Sequence, residues 1–241
     1  SPEAPLTYRG VVYNEMKGAL SSPEDLLESK TMASLYPDTT YGYESGGNPE
    51  AIPELTQERF IGFHKKFYHP ANSYIYLYGD MDMDEKLAYL DAEYLSHFDR
   101  IPVPSKIERQ PLFKELQHVT EYYPIGAEES AAEKTFLSLN MIVGAADDAE
   151  TMLALEILEH ALLKTQAAPL RKALIDAKIG KDVYSSFEDA VLQPFFSIVA
   201  TGAEPEKAER FAGVIQDTLQ TLCREGLDRT LLEASINLLE F

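Results

Sequence analysis

Between residues 100 and 116 the chain carries three prolines, mixed charges and few apolar clusters. Proline lacks a backbone donor and pushes the residue before it out of the helical region, so no long regular element runs through such a stretch. Two separately packed regions are therefore expected, residues 1–100 and 117–241, with a linker at 101–116. The length of 241 residues suits two medium domains at roughly 100–200 residues each. The 45% hydrophobic content is enough to build real cores.

Both regions read as mixed helix and strand. Val11 to Ala19 has helical character. Ser22-Pro23-Glu24-Asp25 is a helix start, with Ser at the N-cap, Pro at N1 and acids in the first turn; that helix is expected to reach about Leu35. Residues 36–53, rich in Gly, Pro, Thr, Ser and Asn, form a long loop of the kind that is often functional. Thr56 opens a helix to about Tyr68, and Ser73 to Tyr78 reads as a strand from its β-branched and aromatic content. Asp82 with Glu85 resembles a capping box and starts a helix to about Phe98. Beyond the linker, Gln117–Tyr123 and Lys134–Val143 read as strands, and Asp147 with Glu150 caps a helix over about 148–163. A shorter helix over 168–178 ends before Gly180, a suitable C′ residue. Strands follow near 182–188 and 194–201. Glu204-Pro205 starts a long helix to Arg224, closed by Gly226, and Asp228 starts a last helix. The fold class is α+β.

A loose internal repeat fits this reading. Ser73 to Leu95 and Phe195 to Leu222 both run strand, glycine, acidic turn, Glu-Lys pair, long helix, with Gly79 and Gly202 lying 123 residues apart. A period of that length indicates a duplicated α+β domain, not a solenoid with its repeat of roughly 20–50 residues.

Glu15 is the most informative single residue. On a helix over Val11–Ala19 it shares a face with Val11, Val12 and Ala19, and no Lys or Arg lies three or four positions away. A carboxylate on an apolar face needs compensation. A metal ion, an arginine or backbone donors would supply it; a side chain reaching out to solvent is the plainer alternative. His64 and His69 have His-x4-His spacing, but His64 lies late in its helix and His69 precedes Pro70, which breaks it, so they do not converge as the i, i+4 pair of a zinc helix does and read as helix-end histidines favoured by the C-terminal dipole. Glu156-x-x-Glu159-His160 looks like an inverted zinc motif with its first His replaced, yet the surrounding leucines mark an ordinary core helix. Ser45-Gly46-Gly47 is either an amide cradle for an anion or a flexible turn. Cys223, late in an apolar-periodic helix, is expected to pack. His-x-x-Glu-His, His-Glu-x-x-His, phosphate-loop and Gly-x-Ser-x-Gly motifs are all absent.

The net charge of −19 argues against nucleic acid and against an anionic membrane surface as partners, since no positive field is available to displace counterions. No apolar run approaches 18 residues. The single cysteine excludes an intrachain disulfide and a Cys-based zinc cluster, and suits a reducing compartment. Ser1 to Pro5 is neither basic nor apolar and does not read as a signal peptide. The last residues stop inside an amphipathic pattern, so the chain is expected to be a fragment of something longer.

One set of motifs goes further. Gly10-Val-Val-Tyr-Asn-Glu-Met-Lys-Gly-Ala19, preceded by Pro5-Leu6 and followed by Ser45-Gly-Gly-Asn-Pro49 and Ile52-Pro-Glu-Leu-Thr56, closely resembles the presequence-protease branch of the insulinase/pitrilysin zinc peptidases. Phe67-Tyr-His-Pro-Ala-Asn72, Tyr76-Leu-Tyr-Gly-Asp80, Ala168-Pro-Leu-Arg-Lys-Ala-Leu-Ile175 and Asn237-Leu-Leu-Glu-Phe241 continue it in the expected order, over nearly the whole chain. The resemblance implies repeated insulinase-type α/β sandwich domains, each an antiparallel-rich sheet packed by helices. Residues 1–100 are then the later part of a catalytic first domain, and 117–241 most of a non-catalytic second one. It implies a full-length zinc endopeptidase acting on unfolded peptides, with His-x-x-Glu-His upstream and Glu15 as the third zinc ligand. It implies no catalytic residue in this chain, no zinc held tightly by it alone, and partnership with the remaining N- and C-terminal parts of the same polypeptide. A bacterial cytoplasmic location is implied, with an organellar one as the alternative. A non-catalytic scaffold or peptide-binding homologue is the competing reading.

Overall fold

The computed structural model describes residues 7–240, so the reading of Ser1–Pro5 and the Pro5-Leu6 and Phe241 ends of the resemblance lie outside it. The helices are α1 (Val11–Ala19), α2 (Pro23–Leu35), α3 (Gln57–Phe67), α4 (Met83–Glu93), α5 (Ala149–Glu159), α6 (Pro169–Asp176), α7 (Ala208–Glu225) and α8 (Arg229–Glu240); the strands are β1 (Thr135–Ile142), β2 (Asp182–Glu188) and β3 (Phe195–Ala203). Packing divides them into two units. The first holds residues up to Ala19 together with Glu44–Glu108; the second holds Leu20–Tyr43 together with residues from Arg109 onward. The chain leaves the first unit within the proline-bearing stretch, while α2 and the turn after it pack in the second.

Local capping explains where the helices begin. Ser22 Oγ accepts from Asp25 N at 3.0 Å, Thr56 Oγ1 from Arg59 N at 3.2 Å, Asp82 Oδ1 from Glu85 N at 3.0 Å and Asp228 Oδ1 from Leu231 N at 2.9 Å. Each satisfies an otherwise orphaned amide, an interaction of about 1 kcal/mol. At α5 the cap is Asp148, not Asp147. Asp147 lies in the exposed turn ahead of it, 3.6 Å from Arg109.

The second unit is built on an antiparallel sheet of order β1-β3-β2. Its register stacks Leu137, Ala200 and Val183, then Leu139, Ile198 and Ser185, then Met141, Phe196 and Phe187 on one face. That face meets Leu163, Leu170 and Leu174 of the α5–α6 region and Phe211 and Ile215 of α7 in one buried cluster. On the opposite face Phe195 packs with Leu35, Tyr36 and Val191. β3 is therefore covered on both sides, which accounts for its nearly unbroken apolar sequence.

A buried polar clamp ties the linker end into this unit. Gln110 N donates to Gln193 Oε1, Gln193 Nε2 returns to Gln110 O at 3.2 Å, and the Gln110 carboxamide pairs with Asp38 through N–H···Oε1 at 3.0 Å and Nε2–H···Oδ2 at 2.8 Å. The Tyr36 hydroxyl donates to Gln193 O. Burial, with smaller contributions from Tyr41 and Glu188, pushes that hydroxyl's pKa well above the ordinary tyrosine range and keeps it a donor. Gln193→Ala strands the Gln110 amide in a dry site and is expected to cost about 1–3 kcal/mol in denaturant unfolding. A loss below about 0.5 kcal/mol would show the clamp to be dispensable.

Several elements differ from the expectation, each for a physical reason. Residues 73–78 and 117–123 are not strands, because no partner strand pairs with them among the described residues. α4 ends at Glu93 and gives way to a 3-10 turn, Leu95–His97. After Glu159 the α5 backbone widens into a π-helical turn, His160–Lys164. Gly180 does not cap α6; Lys178 takes the left-handed conformation instead, with φ +55°. Gly180 is needed for close approach, since a Cβ there would lie 2.3 Å from the Thr201 carbonyl oxygen. Cys223 is exposed, because it falls on the outer side of α7.

Candidate functional site

α1 follows Gly10 directly, and its first turn closes with Asn14 N donating to Gly10 O at 2.9 Å. Glu15 is exposed on it, with Val11 and Val12 also exposed on the same side. Its carboxylate has no ion pair or hydrogen bond among the described residues. Lys17, the nearest cation in sequence, points its ammonium over the Tyr13 ring, 5.5 Å from the centroid. The helix face is thus apolar apart from one free carboxylate, and nothing described in the first unit covers it.

The Ser45-Gly46-Gly47 loop bears on the same helix. A Cβ at Gly46 would come within 2.1 Å of Met16 Sδ, so the loop backbone lies directly against the residue beside Glu15. Gly47 has φ +94°, a left-handed conformation that glycine adopts without strain. Two segments that are separate motifs in sequence are therefore in contact, and the loop buttresses α1 beside its carboxylate.

The other sequence candidates are not brought to Glu15. His64 stacks on Tyr68 with centroids 4.6 Å apart, in the last turn of α3. His69 caps the next 3-10 turn, its Nδ1 accepting from Ala71 N at 3.1 Å, a local role the dipole argument did not anticipate. Among the described residues no three His, Cys, Asp or Glu side chains are grouped to hold a metal ion.

In the second unit, Glu156 is exposed and Glu159 buried, 2.8 Å from Lys164 Nζ. Lys164 also donates to Ser185 O at 3.1 Å. His160 Nδ1 lies 2.9 Å from Ser235 Oγ, and that hydroxyl donates to Leu231 O at 2.9 Å. Its one proton is spent there, so His160 Nδ1 is the donor in their contact. Glu159 and His160 are thus held by Lys164 and Ser235 and join the π-turn to β2 and α8. The sequence did not reveal these partners: Lys164 closes the same π-turn, and Ser235 lies on α8.

An open pocket of about 440 Å³ in the second unit is lined by Pro23, Glu24, Tyr123, Glu133, Phe136 and Gly202, among others. Its carboxylates are largely used locally. Lys134 holds the Glu129 carboxyl below its usual range through a hydrogen bond, and Lys181, 2.7 Å from Glu133, does the same there.

The described chain thus presents one free carboxylate on a bare helix face, backed by a glycine loop. Comparison with known proteins supplies its context. The family model described as "Peptidase M16 inactive domain" matches residues 54–239. Protein HypA of Clostridium perfringens is 46% identical over 239 residues, spanning 99% of this chain and 25% of that protein. Presequence protease 1, chloroplastic/mitochondrial, of Arabidopsis thaliana is 41% identical over 244 residues, spanning all of this chain and 22% of that one. The chain therefore spans about a quarter of the length of these relatives. The crystal structure of a peptidase M16 inactive domain from Pseudomonas fluorescens superimposes with a TM-score of 0.65 at 21% identity, over 95% of this chain and 54% of that one, a likeness of fold.

Proposed function

We propose, from the fact that this chain belongs to the peptidase M16 family, that it is part of a zinc-dependent endopeptidase of unfolded peptides in which Glu15 is a zinc ligand. The single observation that carries this reading is the free, exposed carboxylate of Glu15 on the apolar side of α1, within the Asn14-Glu15-Met16-Lys17-Gly18 segment. A hard, anionic oxygen donor of this kind fits a zinc site that keeps one position open for water. Zinc, when bound, lowers the pKa of its water and generates the nucleophile. The chain's own residues do the holding: Glu15 contributes one negative charge, and Met16 against the Gly46 backbone fixes the helix that carries it.

One carboxylate does not make a site. Complete structural zinc sites supply roughly 10–16 kcal/mol of apparent binding free energy, and two imidazoles cannot be spared from that total. The 241-residue chain is therefore expected to hold no stoichiometric zinc and to cleave no peptide, whereas the full-length parent holds one zinc per chain. Metal analysis by mass spectrometry after chelator dialysis checks this. About one tight zinc in the 241-residue chain would overturn the reading of Glu15 as one member of a composite site.

The inactive-type family model favours a second reading, a non-catalytic peptide-binding homologue. A parent gene lacking His-x-x-Glu-His upstream of Glu15 would select it. Likeness to Protein HypA of Clostridium perfringens supports a bacterial, cytoplasmic parent, and likeness to the chloroplastic/mitochondrial presequence protease of Arabidopsis thaliana supports the organellar alternative. No helix among the described residues is long and apolar enough to cross a membrane.

A further inference from the structure

β2 is an outer strand of the sheet, and no described strand lies beyond it. It pairs with β3 without a register shift and contains no proline. A regular edge strand of this kind is a template for extended polypeptide, which adds through main-chain hydrogen bonds. Neither a bulge nor a proline obstructs that addition here.

Two cations occupy the outward backbone instead. In an antiparallel pair, every second residue turns its amide and carbonyl away from the partner strand. The Val183 carbonyl accepts from Arg171 Nη1 of α6, and the Ser185 carbonyl from Lys164 Nζ of the π-helical turn at 3.1 Å. The Val183 amide is taken too, donating to Asp182 Oδ1 at 2.8 Å. Each cation is fixed by a carboxylate: Arg171 Nη2 lies 2.6 Å from Asp182 Oδ1, and Lys164 Nζ 2.8 Å from Glu159. Two ion pairs from separate elements thus converge on successive outward carbonyls of one strand, which chance surface salt bridges have no reason to do. An incoming strand must displace charge-assisted hydrogen bonds, about twice as strong as the neutral ones it offers in return. Swinging Lys164 aside would also leave the buried Glu159 carboxylate unpaired.

The ends of β2 indicate which polypeptide is kept out. In a symmetric antiparallel pairing of two copies about Ser185, Asp182 and Glu188 would lie directly opposite each other. Like charges in that position are destabilising, so a second copy is already disfavoured without the cations. We propose that Arg171 and Lys164 shut the β2 edge to other extended chains, so that an unfolded peptide cannot add to the sheet of the second unit. The bearing on unfolded peptides as substrates rests on the function proposed above; the closure of the edge does not.

Fluorescence anisotropy of a labelled peptide of alternating Thr and Val with a lysine at each end, titrated with the 241-residue chain, tests it. The lysines match Asp182 and Glu188. A double variant, Lys164→Met with Arg171→Met, keeps apolar stems and removes both donors. It is expected to bind the probe at least about tenfold more tightly than the unsubstituted chain, because two backbone acceptors are freed. Hydrogen–deuterium exchange is then expected to show the Ser185 and Phe187 amides slowed by the peptide. Arg171→Met alone leaves Glu159 paired with Lys164 and is expected to give a smaller gain, so the test stands even where the double variant fails to fold. Lys172→Met removes an exposed cation that pairs with Asp176 on the same helix, and is expected to give no gain. Equal affinity in the unsubstituted chain and in folded Arg171→Met would overturn the proposal. So would an equal gain from Lys172→Met, which assigns the effect to net charge, or protection confined to amides outside 182–188. Neither zinc nor cleavage is read, so failure here and failure of the Glu15 assignment are distinguishable.

Discussion

In the full-length parent, Glu15→Gln is expected to weaken zinc binding by more than about 100-fold and to reduce peptide cleavage by at least as much, with the fold intact. The magnitude follows from comparison with less direct changes. Altering a group that only orients a metal ligand costs about 10–100-fold in affinity or activity. Replacing the ligand itself, and removing the negative charge that offsets the dication, must cost more. The fold should survive because the Glu15 side chain is exposed in the described chain and has no local partner to strand. Glutamine also has nearly the same helix propensity as glutamate. Metal analysis, cleavage of an unstructured peptide and thermal unfolding, measured on the same preparation, separate the outcomes. Full zinc occupancy with full turnover would exclude Glu15 as a ligand; loss of all three together would mean that the substitution unfolds the helix.

The second large effect contrasts the two units. Leu174→Ala in the 241-residue chain is expected to destabilise the second unit by about 2–5 kcal/mol, because Leu174 is fully buried between the sheet and its helices and leaves a cavity. Phe60→Ala in the same chain is expected to change stability by less than about 0.5 kcal/mol, as for an ordinary surface site. In the full-length parent the same Phe60→Ala is expected to cost about 3–5 kcal/mol, as for a core phenylalanine. Denaturant unfolding of both variants in both proteins measures this. A large cost for Phe60→Ala in the 241-residue chain would mean that the first unit has a core of its own.

What could be read from sequence divides along the range of the interactions. Ser22, Thr56, Asp82 and Asp228 cap their helices through amides three residues away, so those starts were visible in a few letters. β1, β2 and β3 formed where they were expected, since each finds its partner within the chain. The run at 73–78 has equally strong β character and no described partner, and a strand is defined by pairing that composition cannot supply. Glu15 stood out because helix periodicity puts a carboxylate among apolar neighbours, but its chemistry came from resemblance and not from spacing. The Gln110–Gln193 clamp and the His160–Ser235 contact join residues 83 and 75 positions apart, and nothing local announces them. Lys178 takes the left-handed conformation expected of Gly180, and the glycine at 180 serves instead the close approach of the Thr201 carbonyl, a long-range contact that the local pattern does not announce.

The most direct test of the central claim is anomalous scattering at the zinc edge from crystals of the full-length parent. A metal peak about 2.0–2.2 Å from a Glu15 carboxylate oxygen, with two imidazole nitrogens from the preceding segment completing the protein ligands, is the expected result. A well-occupied zinc coordinated entirely by other residues, with Glu15 free in solvent, would contradict it.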